Sequence, residues 1–117
     1  MKHETITIGS ETFRLFDIDL YGKAWKIFLS AAEYADGRLA VVINHVCDDE
    51  IEEFAVATVN LGDHLDAPQL AYADTNNCPW LFPFLTQNGL AEMTGRFARS
   101  GFCIYPLMRW NTDAFTV

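Results

Sequence analysis

The stretch "AWKIFLSAAEYADGRLAVVINHV", residues 24–46, decides the fold class. In its first half Trp25, Ile27, Leu29 and Ala31 fall on one side and Lys26, Phe28, Ser30 and Ala32 on the other. That period of two belongs to a strand, not a helix. Asp36-Gly37 then supplies the positive backbone φ of a tight turn. "RLAVVINHV" is apolar on both faces, which suits a strand inside a sheet. Downstream, "FAVATVNL" (54–61) sets Phe54, Val56 and Thr58 against Ala55, Ala57 and Val59, another strand pattern. Between them "CDDEIEE" (47–53) reads as a connection, too charged for a core strand and kept extended and solvated by its like charges. Successive strands with short connections predict an antiparallel meander.

The flanks extend this reading. "TITIGSETFRLF" (5–16) is a hairpin pattern turning at Gly9-Ser10. "GDHLDAPQ" (62–69) is a loop by its Gly, Asp and Pro content, and "LAYADT" (70–75) a short extended segment. A short helix is expected from about Trp80 to Gln87. Asn76 or Asn77 would cap its first turn, Pro79 is tolerated there, Pro83 limits its length, and Asn88-Gly89 ends it. "TGRFARSG" (94–101) reads as a second loop. "FCIYPLMRW" (102–110) reads as a last strand, placed at an edge, or with Pro106 at a bulge, because proline removes a ladder donor. The expected architecture is a single α+β domain over residues 1–117: one antiparallel sheet of about five or six strands packed on one short helix.

Composition narrows the function classes. Half of the 117 residues are hydrophobic, including nine Phe, four Tyr and three Trp, so the chain can bury a core. No apolar run approaches the ~18 residues of a spanning helix, and "MKHETITIGSE" lacks the apolar centre of a signal peptide. A soluble cytoplasmic protein is expected. The formal net charge is −8, with no Lys or Arg between Leu39 and Gly95. Such a surface repels phosphate backbones and anionic membranes, so neither direct nucleic-acid binding nor membrane binding is expected.

Few residues suggest chemistry. Cys47, Cys78 and Cys103 are an odd number without a CxxC pair, and read as free thiols. Cys78, beside Pro79 and Trp80, could be a nucleophile at a helix start, but no histidine motif accompanies it; a packed structural thiol is the simpler reading. His45 and Cys47 would share one side of a strand, yet two more ligands at a known spacing are lacking, so no metal is expected. Asp17 and Asp19 read as solvated strand residues. There is no phosphate loop and no GxSxG, and no cofactor is expected. Arg96 and Arg99 could grip an anion, or pair internally with acidic residues.

"ATVNL", "YADTNNCPW" and "NGLAEMTGRFARSGFCIYPL" together resemble a small bacterial family, domain-of-unknown-function family 4313, over about residues 24–108. "LFPFL" departs from the acidic helix of that pattern. The resemblance implies no activity. It implies a setting, as accessory cargo of mobile elements, where small acidic proteins include inhibitors of host defence.

The functional expectation is therefore a non-enzymatic interaction protein, of the anti-CRISPR or anti-restriction kind, occupying a basic nucleic-acid-binding surface of a host complex. Its acidic face would be Asp48, Asp49, Glu50, Glu52, Glu53, Asp63 and Asp66, with Trp80, Phe82 and Phe84 as an apolar anchor. The alternative is a small-ligand binder or enzyme with a pocket near Cys78, Arg96, Arg99 and Tyr105.

Overall fold

A computed structural model describes residues 4–62 and 64–117. Strands β1 (Thr5–Ile8) and β2 (Glu11–Arg14) form the expected hairpin. Strands β3 (Phe16–Leu20), β4 (Lys23–Glu33), β5 (Leu39–Cys47) and β6 (Glu50–Val56) form an antiparallel meander in sequence order. Strands β7 (Thr58–Val59) and β8 (Leu70–Ala73), helix α1 (Leu81–Gln87), and strands β9 (Ala91–Ser100) and β10 (Cys103–Trp110) follow; the second sheet has the order β7-β8-β10-β9. A 3-10 turn, Thr112–Phe115, closes the described chain.

The expected single sheet is thus corrected to a two-stranded hairpin and two four-stranded antiparallel sheets, within a broadly α+β fold. The division falls at Ala57, inside the run read as one strand. Val56 still pairs with Val42 in the first sheet, whereas Thr58 pairs with Ala73 in the second. Fully buried Ala57 joins both: its N–H donates to the Val41 carbonyl at 2.7 Å, and its carbonyl accepts from Asp74 N–H at 2.8 Å. A strand that switches sheets makes such a corner, and a methyl side chain lets the two backbones approach.

One core joins both sheets. Ile27, Leu29, Val41 and Ile43 from the first sheet meet Ala73, Met108 and Trp110 from the second, with Leu81, Phe84 and Leu85 of α1 and Phe115. The alternate positions Leu70, Tyr72 and Leu107 face the other way and are covered by Leu61, Leu65 and Ala67 of the connecting loop. The second sheet therefore buries both faces. On the outer side of the first sheet Phe13 of β2 packs against Phe28 with the rings tilted, centroids 4.9 Å apart.

Four further expectations need correcting. "CDDEIEE" is mostly strand: only Asp48-Asp49 form the turn, and Glu50, Glu52 and Glu53 belong to edge strand β6. "TGRFARSG" is not a loop but most of β9. Its polarity is that of an edge strand, and Gly95 (φ 86°) sits in an irregular stretch where Met93–Phe97 spans only Met108–Pro106 of β10. Strand β10 is central, so of the two placements offered the edge is wrong and the bulge right: Pro106 stands where the register shifts. Neither asparagine caps α1, whose N-cap Trp80 has no side-chain cap bond. The Asp74 carboxylate instead shapes the approach to the helix, accepting from Asn77 N–H at 3.1 Å and from the Asn77 side-chain amide at 2.8 Å. Pro83 fits because it lies in the first turn, where its missing N–H would have had no partner. At the other end Leu90 N–H reaches the Leu85 carbonyl and Gly89 N–H the Thr86 carbonyl, a Schellman closure with Gly89 at φ 68°.

Candidate interaction surface

The β5–β6 hairpin gathers most of the predicted acidic residues. Asp48 and Asp49 are its two turn residues, at φ 51° and 66°. Two left-handed residues in succession make the turn that matches strand twist, and Asp tolerates that conformation better than most side chains. Cys47 and Glu50 close the turn, and Asn44, His45 and Val46 pair with Glu53, Glu52 and Ile51. All five carboxylates, Asp48, Asp49, Glu50, Glu52 and Glu53, are exposed. Among the described residues only Glu52 has a basic side chain within ion-pair distance, the His45 imidazole, with Nε2 at 3.3 Å. Charge on an outer strand also keeps the sheet from extending edge to edge. Asp66 lies apart, on the loop before β8, and faces Arg96 Nη1 at 3.6 Å. Asp63 lies outside the described residues.

Behind this hairpin runs an aromatic row. Trp25 touches His45 and Phe54, with centroids 5.1 and 5.0 Å apart, and Trp80 connects Phe54 (6.4 Å) to Phe84 (5.6 Å). Lys23 Nζ lies over the Trp25 ring at 4.3 Å. Of the predicted apolar anchor, Trp80 and Phe82 are half-buried at the core rim, while Phe84 is buried against Phe16 and Trp80. Phe84 is spent on the core and is not available as an anchor.

Cys78, Arg96, Arg99 and Tyr105 do not converge. Cys78 is in the main core, whereas Tyr105 packs with the cluster on the opposite face of the second sheet. Arg96 and Arg99 are exposed on β9. Burial pushes the Cys78 thiol up, and the Asp74 carboxylate nearby adds to the shift, so this group is disfavoured as a thiolate. A hydrogen bond with Cys103, reinforced by desolvation, raises the Tyr105 phenol. His45 and Cys47 both lie on β5, but among the described residues no three His, Cys, Asp or Glu side chains are grouped as a metal would need. Asp17 is an exposed strand residue 3.1 Å from Lys26, whose ammonium is held above its usual range by Glu4 first and Asp17 second.

The exposures yield a concrete expectation. A disulfide thiol reagent should label Cys47 first and Cys103, which is half-buried, more slowly. Cys78 should react only on unfolding. Mass spectrometry of timed, quenched labelling reads all three; native labelling of Cys78 at the rate of Cys47 would contradict this placement.

Sequence reasoning missed a group of exposed apolar side chains at the end of one hairpin. Phe102 is fully exposed (106%), and Phe97 and Ile104 are about half exposed (54% and 53%) at the end of the β9–β10 hairpin. The signal was "SGFC". Gly101, at φ 61°, takes the first central position of a two-residue turn and leaves Phe102 as the second, at the tip. Reading the last strand from Phe102 put that residue in the sheet, whereas the strand begins at Cys103.

No helix among the described residues is long and apolar enough to cross a membrane. The family described as Domain of unknown function (DUF4313) matches residues 28–116. No curated protein and no solved structure matches the chain.

Proposed function

The chain belongs to the family DUF4313, and from that premise we propose that it acts without catalysis, as a protein that docks its acidic β5–β6 hairpin on a basic surface of another protein. The observation supporting this is the hairpin itself. Five exposed carboxylates stand within six residues, at a tight turn and on an edge strand, with the His45 imidazole as the one basic side chain within ion-pair distance among the described residues. Carboxylates arranged this way steer a basic partner into encounter and fix its register. A basic partner of this kind is found among complexes that hold nucleic acid, whose phosphate-binding surfaces the hairpin would occupy. The proposal therefore extends to an inhibitor of host defence carried by a bacterial mobile element, of the anti-CRISPR or anti-restriction type.

The test is retention of proteins from a bacterial lysate at low salt, followed by affinity measurement on the retained complex. Asp48→Asn, Asp49→Asn, Glu50→Gln and Glu53→Gln combined keep the shape of the hairpin and remove four charges. Each exposed pair contributes ~0.2–1 kcal/mol, so affinity should fall by roughly tenfold or more, mostly through slower association. Raising salt should weaken the unaltered protein similarly. Affinity indifferent to both salt and charge removal would refute the proposal.

A further inference from the structure

One hairpin of this acidic chain carries positive charge. Between residues 91 and 110, the β9–β10 hairpin carries Arg96, Arg99 and Arg109 against Glu92, a formal +2, which leaves −10 on the remainder. The most exposed Phe side chains of the described residues, Phe97 and Phe102, lie on this one positive element. Arg99 has no ion pair among the described residues, and Arg96 meets Asp66 only at 3.6 Å with both side chains mostly in water. A contiguous exposed apolar patch on a small protein marks a contact surface. The Arg99 guanidinium, on the residue cross-strand from Ile104, selects an acidic occupant.

An acidic surface with apolar side chains of its own exists on the same chain. Ile51 (42%) and Val56 (37%) are exposed among Glu50, Glu52 and Glu53 of β6. Strands β6 and β9 are edges of different sheets, so one hairpin leaves the other free. We propose that copies of this chain associate head to tail, with the basic, apolar β9–β10 hairpin of one copy seated on the acidic β5–β6 hairpin of the next. The inference rests on the reading of β5–β6 as an acidic docking element. It adds that the protein's own hairpin competes for that element. The two contacting surfaces differ, so the assembly is heterologous and grows as a chain or closes as a ring. The −8 of each copy opposes approach at a distance. At physiological ionic strength that repulsion is screened beyond about 8 Å, while charges in contact still attract.

Sedimentation velocity across micromolar to millimolar concentrations, at physiological ionic strength, tests this. The expected result is a mass average that rises with concentration. Phe102→Ser with Arg99→Gln disables one surface; Glu50→Lys with Glu53→Lys disables the other. All four positions are exposed, and circular dichroism verifies folding. Each double variant should stay monomeric alone. Their equimolar mixture should form pairs of twice the monomer mass and nothing larger, because the two unused surfaces of a pair, neutral and polar on one copy and basic on the other, do not attract each other. An unaltered protein that stays monomeric throughout overturns the proposal. So does continued association of the Glu50→Lys, Glu53→Lys variant alone, which would mean hairpin-to-hairpin contact, or a mixture that forms no pairs. Binding of an oligo-arginine peptide to the Phe102→Ser, Arg99→Gln variant separates the two readings. If that variant binds the peptide while the unaltered protein stays monomeric, the acidic docking element stands and self-association falls. If the peptide is not bound, both fall.

Discussion

Trp110→Ala should lower the unfolding free energy by about 3–5 kcal/mol and the thermal midpoint by roughly 15 °C. Trp110 is 2% exposed at the end of β10, where both sheets and the helix share one core. Its indole Nε1–H also donates to the Ala71 carbonyl on β8 at 3.1 Å. Alanine would therefore leave a large cavity and take a donor from a buried carbonyl. Such a loss is a large part of the ~5–15 kcal/mol that holds a domain folded. Trp110→Phe separates the two effects: it keeps most of the packing, and should cost about 1–2 kcal/mol for the lost hydrogen bond and the reduced ring. Urea unfolding measures both. A cost below about 1 kcal/mol for Trp110→Ala would show that this core closes over the cavity.

The second large effect is expected at the corner between the sheets. Thr58 is 4% exposed. Its Oγ1 accepts the Val41 N–H at 3.2 Å and lies 2.8 Å from the Tyr34 hydroxyl, which also donates to the Thr58 carbonyl at 3.1 Å. Val41 lies on a central strand of the first sheet, and Thr58 already pairs in the second. The hydroxyl thus takes over as acceptor where the strand partner turns away. Thr58→Val keeps the volume and orphans a buried N–H, at a cost of about 1–3 kcal/mol. Thr58→Ser should restore most of that. Tyr34→Phe should cost about 1 kcal/mol, less than additively with Thr58→Val, because both changes remove the same hydroxyl contact. Unchanged stability in Thr58→Val would mean that Val41 N–H finds another acceptor.

These two sites mark how far the sequence could be read. Helix α1 was legible to within one residue, because Pro83 and Asn88-Gly89 bound it by backbone geometry alone. The first hairpin was legible from its Gly9-Ser10 turn, β4 from its period of two, and β5 from a run apolar on both faces. The acidic hairpin was legible as a cluster, since Asp48, Asp49, Glu50, Glu52 and Glu53 are close in sequence. That Asp66 would leave it for Arg96 was not, because the contact joins the loop before β8 to β9. Strand β9 was missed because edge strands are polar and Gly95 imitates a turn.

What the sequence determined by itself was local: the period of two, the turns that glycine and aspartate permit, the short helix and the sign of the charge. Each depends on residues within a few positions of one another. Only the tertiary structure decided where the chain changes sheets, which strand became an edge, and which aromatic rings were buried. "FAVATVNL" alternates in the same way on both sides of Ala57, so nothing local distinguishes pairing with Val42 from pairing with Ala73. The choice is made by partners distant in sequence, and by the need to bury Trp110 and Leu85 together while Phe102, equally apolar, is held at a turn in water.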